Sequence, residues 1–152
     1  MRILIKKAIS EKDISACLAV RRKVFIEGQN ISEEDELDGL EREGDNYLVI
    51  LDEAPIGTAR VRYLQENGKI KAKVERVAVL SVHQGKGIGK QLMEYILKEI
   101  EKNKKVTKIK LSAQSYIVPF YTNLGYNVCS DEYMEAGIPH IDMQRDLTAK
   151  GL

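Results

Sequence analysis

The apolar positions of this chain fall into two periods, and the switches between them mark its elements. Arg2 to Ala8 is apolar and β-branched enough for a strand. Ser10-Glu11-Lys12-Asp13 then reads as a helix start, with Ser10 as cap and Asp13 at the positive helix end. Ile14, Cys17, Leu18 and Arg21 follow helical spacing, which carries this helix to about Val24. Phe25 to Asp45 is irregular and acidic, with room for a short second helix ending near Gly39 or Gly44. A meander follows: a strand at Tyr47 to Leu51, a turn at Asp52-Glu53-Ala54-Pro55, a strand at Ile56 to Leu64, a hairpin turn at Gln65 to Gly68, and a strand at Lys69 to Leu80. Ile88, Leu92, Met93, Tyr95, Ile96, Leu97 and Ile100 line an amphipathic helix from about Gly87 to Lys102. The pattern then predicts a strand at Val106 to Leu111, a short helix at Tyr116 to Leu124 closed by Gly125, a strand from Tyr126 to Cys129, and a last strand at Ile141 to Leu147. The order describes a mixed α/β (α+β) layout around one sheet, expected as one domain over residues 2–147.

Composition narrows the class. Of 152 residues, 24 are basic and 23 acidic, a net charge of +1, so no basic excess favours nucleic acid or an anionic membrane. Hydrophobic residues at 43% are enough for a packed core. No apolar run nears the roughly 18 residues of a membrane span, and Met1 to Lys7 lacks the order of a secretory leader. The two cysteines, Cys17 on the first helix and Cys129 on a strand, are expected as reduced, partly buried thiols, which fits the cytoplasm. With His83 and His140 they have no zinc spacing, and no metal is expected.

The informative unit is Val77-Ala78-Val79-Leu80, then Gln84-Gly85-Lys86-Gly87-Ile88-Gly89-Lys90, then the amphipathic helix. A helix start presents unpaired amides at the positive end of its dipole, and glycines let the backbone close on a ligand, so this turn suits phosphate oxygens. Lys86 and Lys90 add positive charge. The P-loop pattern fails at both ends: Gln84 stands where it needs glycine, and Gln91 follows Gly89-Lys90. The dinucleotide fingerprint fails because its third glycine comes one place early, after a meander instead of a βαβ unit. Gln-x-x-Gly-x-Gly remains, and a ligand-free strand-to-helix turn is its alternative.

Gln84, Gly87 and Gly89, preceded by Arg76-Val77-Ala78-Val79, resemble the Arg/Gln-x-x-Gly-x-Gly/Ala signature of the GNAT superfamily of N-acetyltransferases. Phe120-Tyr121-Thr122-Asn123-Leu124-Gly125-Tyr126 resembles that family's Phe-Tyr-x-x-x-Gly-Phe segment. Arg22 to Glu27, Glu34 to Asp38, and Ala136 to Met143 resemble a bacterial branch of small GNAT proteins. The resemblance covers about residues 2–147 and implies a mostly antiparallel sheet flanked by helices, with a splay between the fourth and fifth strands. It implies acetyl-coenzyme A as co-substrate, its pyrophosphate on the amides of Gln84, Gly85, Lys86, Gly87, Ile88, Gly89 and Lys90. The pantetheine arm would pair with the strand Val77, Ala78 and Val79, and the thioester carbonyl would bond an amide near Val79. Gln114 stands where the family often has asparagine for coenzyme or substrate. A homodimer is common in the family.

Acyl transfer to an amine needs a base for the amine and an acid for the departing thiolate. Tyr121 aligns with the family tyrosine near the coenzyme sulfur and is the expected acid; Tyr116 is a weaker alternative. Glu75, at period two from Val77 and Val79, is the expected base, with an ion pair to a neighbouring lysine as its other reading. Glu27, Glu34 and His140 are rivals for the base and candidates for contact with the amine acceptor. His83 reads as a loop residue or a partner for phosphate. The acidic run Glu33 to Asp45 reads either as a solvated face or as a wall attracting a cationic amine. The function expected is N-acetyl transfer to a small-molecule or protein amine, and the alternative is an acyl-coenzyme A sensor without turnover.

Overall fold

Two-residue turns set the register of the strands. Asp52 and Glu53 have φ of +48° and +71°, and Asn67 and Gly68 have +54° and +76°. Two successive positive φ values make the turn whose twist matches right-handed strands. The turns join β2 (Asp45–Leu51), β3 (Ala54–Glu66) and β4 (Lys69–Val79), the meander expected from the sequence. Ala54 and Pro55, expected in the turn, already belong to β3. Pro55 has no N–H to give, and the β2–β3 ladder shifts register between Val49 and Ile50, beside its partner position.

The computed structural model describes residues 2–147, and the chain divides into two compact units. The first holds the described residues up to Val61 together with Arg76–Lys98. Its strands run in the order β1-β2-β3-β4, with β1 (Ile3–Ala8) antiparallel to β2 from Ile3↔Leu51 to Ala8↔Asn46. Helix α1 (Glu11–Arg21) starts as expected: Ser10 accepts from the Asp13 amide at 3.1 Å. The helix does not run on to Val24; Arg22–Glu27 continues as a π-helical turn, a widening that side-chain period does not announce. Helix α2 (Glu33–Glu36), capped by Ser32, is shorter than a run to Gly39 or Gly44. Tyr47, Leu48, Val49, Ile56, Val61, Leu92 and Ile96 are buried in this unit. Burying a side chain such as Leu, Ile or Val fully is worth about 1.5–3 kcal/mol.

The second unit holds Arg62–Glu75 and the described residues from Glu99 onward. It contains the end of α3 (Ile88–Glu101), β5 (Val106–Gln114), α4 (Val118–Asn123), β6 (Asn127–Val128), β7 (Tyr133–Glu135) and β8 (Ile138–Asp146). Its strand order is β3-β4-β5-β8-β6, with β7 paired to β8. β4 and β5 are parallel, and β5–β8 is antiparallel. The β4–β5 ladder runs from Ile70↔Val106 to Val74↔Leu111 and stops there, although β4 extends to Val79 and β5 to Gln114. β7 was not anticipated: Tyr133, Met134 and Glu135 are all exposed and show no alternation, and a turn with positive φ at Ala136 and Gly137 pairs them to β8.

Cys17 is buried and its thiol donates to the Tyr47 carbonyl at 3.5 Å. Burial, the largest influence, pushes this thiol up. Cys129 departs from expectation: it lies one residue past β6 and is exposed. Both are free thiols. Among the described residues no helix is long and apolar enough to cross a membrane.

Gly125 closes α4 with φ +94°, and a Cβ there would lie 2.9 Å from Nη1 of Arg145. That guanidinium donates to the Leu124 carbonyl, so it cannot withdraw without losing the bond. Gly125→Ala is expected to cost about 1–2 kcal/mol, a fall of roughly 3–6 °C in melting temperature by calorimetry.

Candidate functional site

The glycine turn lies in the first unit. Past Val79 the chain makes a 3-10 turn at Ser81–His83, then Gly85 and Gly87 take φ of +77° and +80° before α3 begins at Ile88. A Cβ built at either glycine meets nothing within 4 Å, so the turn is an open cradle. The Gln91 amide bonds the Gly87 carbonyl at 3.1 Å, which makes Gly87 the helix start and leaves the amides of Ile88, Gly89 and Lys90 without intrahelical partners. α3 has 14 residues, and buried Ile88 pins its first turn. Lys86 and Lys90 are exposed and add positive charge to the positive helix end. An anion with several oxygens fits these donors.

Gln84 braces the turn. Its Nε2 donates to the Val79 carbonyl at 2.9 Å and its amide to the Ser81 carbonyl at 3.3 Å. The amides available to an anion therefore begin at Gly85. His83 Nδ1, beside the turn, is buried and makes no hydrogen bond among the described residues.

Val77 and Val79 are half-buried and Ala78 is buried at the end of β4. Between Glu75 and Val77 the regular pleat is interrupted, because Arg76 has φ +54°. Period two alone therefore does not place Glu75 with Val77 and Val79. Within the first unit Arg76 joins a network of charges. Its Nε lies 2.8 Å from Glu36 Oε2. Arg21 forks onto the same carboxylate, Nε to Oε1 at 3.0 Å and Nη2 to Oε2 at 2.9 Å. Arg60 forks onto Asp38 at 3.0 and 2.6 Å. Arg21, Arg60 and Glu36 are buried, although Glu36 belongs to the run that reads as a solvated face or an acceptor wall. Burial works to raise the Asp38 pKa, but hydrogen bonds from Arg60 and the Leu40 amide, with the charges of Arg60 and Arg76, hold it well below the usual carboxylate range. Glu27, in the π-helical turn, and Glu34, on α2, are exposed.

The second unit holds the other candidates. Glu75 accepts both ends of a fork from Arg62, at 2.5–3.2 Å, and lies 3.5 Å from Lys73. Tyr121, on α4, is buried, with its ring edge-to-face against Phe120 and Tyr126 at 5.0 and 6.0 Å. Burial, with smaller contributions from Tyr126 and Tyr116, pushes its phenol above the ordinary range, so it stays protonated at neutral pH. Tyr116 is exposed. Gln114 and His140 face each other in the β5–β8 register. His140 is buried, donates from Nδ1 to the Ile138 carbonyl at 2.7 Å, places Nε2 3.7 Å from Glu135, and stacks on Tyr133. Tyr133 donates to Asp142 at 2.5 Å and accepts from Ser112. Desolvation and that bond to Asp142 push its phenol up to about 12.

Sequence reasoning therefore read Glu36 only as a member of the acidic run, and left out Arg21, Arg60, Arg62 and the Ser112–Tyr133–Asp142 chain. The available signal was thin: Arg21 occupies an apolar position of the α1 repeat, and Arg60 and Arg62 stand two apart on one strand. Among the described residues, no group of three or more His, Cys, Asp and Glu is arranged to hold a metal.

A family profile for the acetyltransferase (GNAT) domain matches residues 7–147. YyaT of Bacillus subtilis is 38% identical over 147 residues, covering 95% of this chain and 96% of that protein. YjcF of the same organism, described as an uncharacterized N-acetyltransferase, is 35% identical over 96% of this chain and all of its own length. Among solved structures, Escherichia coli ElaA superposes with a TM-score of 0.82 at 26% identity, over 95% of this chain and 99% of that one. An acyl-CoA N-acyltransferase from Pseudomonas aeruginosa gives 0.78 at 29%, with the same coverage.

Proposed function

The chain belongs to the GNAT acetyltransferase family, and on that premise we propose that it moves an acetyl group from acetyl-coenzyme A to a primary amine of a small molecule or protein. The observation that carries the reading is the open glycine cradle at the start of α3, with amides that lack intrahelical partners at the positive end of a 14-residue helix. In this reading the diphosphate of the coenzyme accepts from the amides of Gly85 to Lys90, and Lys86 and Lys90 neutralise part of its charge. Gln84 serves the coenzyme indirectly, by tying the turn to Val79. The pantetheine arm pairs with the backbone of Val77 and Val79, and an amide near Val79 donates to the thioester carbonyl. Gln114 holds coenzyme or substrate.

The amine nitrogen attacks the thioester carbon, a C–N bond forms, and the C–S bond breaks. Tyr121 gives its proton to the leaving sulfur. Glu75 takes the proton from the amine through water, because both of its oxygens already accept from Arg62. Glu27, Glu34 and His140 contact the acceptor. Family resemblance supports Tyr121 and the segments that hold Glu27, Glu34 and His140; Glu75 is assigned from its place on β4. The protein acts in the cytoplasm, alone or as a homodimer.

Thermal unfolding with coenzyme A tests the first half. At a ligand concentration about 100 times its dissociation constant, binding adds about 2.7 kcal/mol, a rise of roughly 5–10 °C for a chain of this size. Gly87→Trp puts a large side chain into the cradle at a positive φ and is expected to reduce that rise below about 2 °C. A full rise in this variant would show that the phosphates bind elsewhere. Coenzyme A release over a panel of amines tests the second half. Binding with no turnover on any amine would favour a sensor.

A further inference from the structure

The chain needs positive φ at several points and meets most of them with glycine, as at Gly85 and Gly87. In β4 it does otherwise. Arg76, inside the strand, has φ +54°. A side chain in that region is strained, and such a residue persists only where its surroundings over-determine it. A left-handed residue within a strand makes a bulge, which re-aims the groups that follow it. The groups that follow are the backbone of Val77, Ala78 and Val79.

The over-determination comes from the acidic segment. Arg76 Nε lies 2.8 Å from Glu36 Oε2, and Nη2 donates to the Glu36 carbonyl at 3.1 Å and lies 3.4 Å from Asp38 Oδ2. These anchors are themselves held. Glu36 is buried under the Arg21 fork, and the exposed Asp38 is held by the fork of fully buried Arg60. A guanidinium on mobile surface carboxylates would hold little. One seated on a buried, doubly engaged carboxylate cannot drift, and it spans the acidic segment and the bulge.

We propose that Arg76 is a positioning residue: its ion pairs with Glu36 and Asp38 hold the left-handed bulge that aims the backbone of Val77 to Val79, and so link order in the acidic segment to coenzyme binding on β4. The inference rests on the coenzyme reading above for its functional consequence, while the bulge itself can be tested without a ligand. Linkage is reciprocal, so coenzyme A should also slow amide exchange in residues 33–38.

Arg76→Ala removes the clamp and keeps the backbone strain. Arg76→Gly removes the clamp and also the strain, since glycine adopts this φ freely. The alanine variant is expected to bind coenzyme A about tenfold more weakly by calorimetry. In the unliganded protein its amide NMR signals of Val77 to Val79 should be displaced. The glycine variant should bind within about threefold of wild type, with those signals near their original places. Arg76→Lys keeps one charge without the fork, should fall between the two, and replaces the alanine variant if that one does not fold. Arg76 is a quarter exposed and its loss leaves Glu36 paired to Arg21, so the urea midpoints should show folded variants. Wild-type signals and affinity in Arg76→Ala would overturn the proposal, as would equal displacement in the alanine and glycine variants. If wild type itself does not bind coenzyme A, the functional reading fails, and the signals of Val77 to Val79 still decide whether the side chain holds the bulge.

Discussion

Tyr121→Phe is expected to lower kcat by about 10²–10⁴-fold while leaving coenzyme A affinity within about threefold. Loss of a positioned general acid has that order of effect. The substitution removes one oxygen and keeps the ring that packs edge-to-face against Phe120 and Tyr126. A pure packing role would leave kcat unchanged, and that outcome would remove Tyr121 from the mechanism. The sign of the pH dependence is a second check. Burial raises the Tyr121 pKa, so the acid form is fully present below the ordinary phenol value of about 10 and is lost only as pH rises beyond it. A thiolate leaving group with a pKa of about 8.5 therefore meets a protonated donor across the neutral and mildly alkaline range. The wild-type profile of kcat should show no fall assignable to this group between pH 8 and about 10. A falling limb in that window that disappears in Tyr121→Phe would show that the phenol ionises too early to serve as the acid.

Arg21→Met is expected to destabilise the protein by about 3–5 kcal/mol. Removing one member of a buried ion pair leaves an uncompensated charge, and that penalty exceeds the loss of the contacts themselves. Here Glu36 is 3% exposed and would keep Arg76 as its cationic partner, which is itself partly exposed. Arg21 also lies 3.7 Å from Glu41, whose Oε1 is buried without a hydrogen bond among the described residues, so a second carboxylate loses a neighbouring positive charge. With a urea slope of about 2 kcal/mol/M, the midpoint should fall by roughly 2 M. Glu36→Leu in the Arg21→Met background should recover part of the loss, because an apolar replacement of both partners removes the stranded charge. A midpoint shift below about 0.3 M in Arg21→Met would mean that Glu36 is solvated and that the network does not hold the acidic segment. Arg76 variants should cost much less, since Arg76 is partly exposed and Arg21 remains to pair Glu36.

The amino-acid order alone determined what depends on neighbours within a turn or two. Ser10 caps α1 because its hydroxyl reaches an amide three residues on. Asn67-Gly68 makes a hairpin because those residue types accept positive φ. The glycine cradle and the apolar face of α3 are legible for the same reason: helix start, dipole and periodicity are local. Even the mostly antiparallel sheet with its one parallel pair, β4 and β5, was reachable, through resemblance of short motifs. Pairings over long sequence separations were not. Arg21 and Glu36 are 15 residues apart, and Arg76 and Glu36 are 40 apart. A charge run reads the same whether its members face water or a guanidinium, so Glu36 could not be separated from its exposed neighbours. Nor could Arg76 be recognised as left-handed, since intrinsic preference opposes that conformation and only distant carboxylates offset the strain. Tertiary structure decided which charges are buried and where β4 departs from its pleat, because each depends on partners that the fold, rather than the local order of residues, brings within reach.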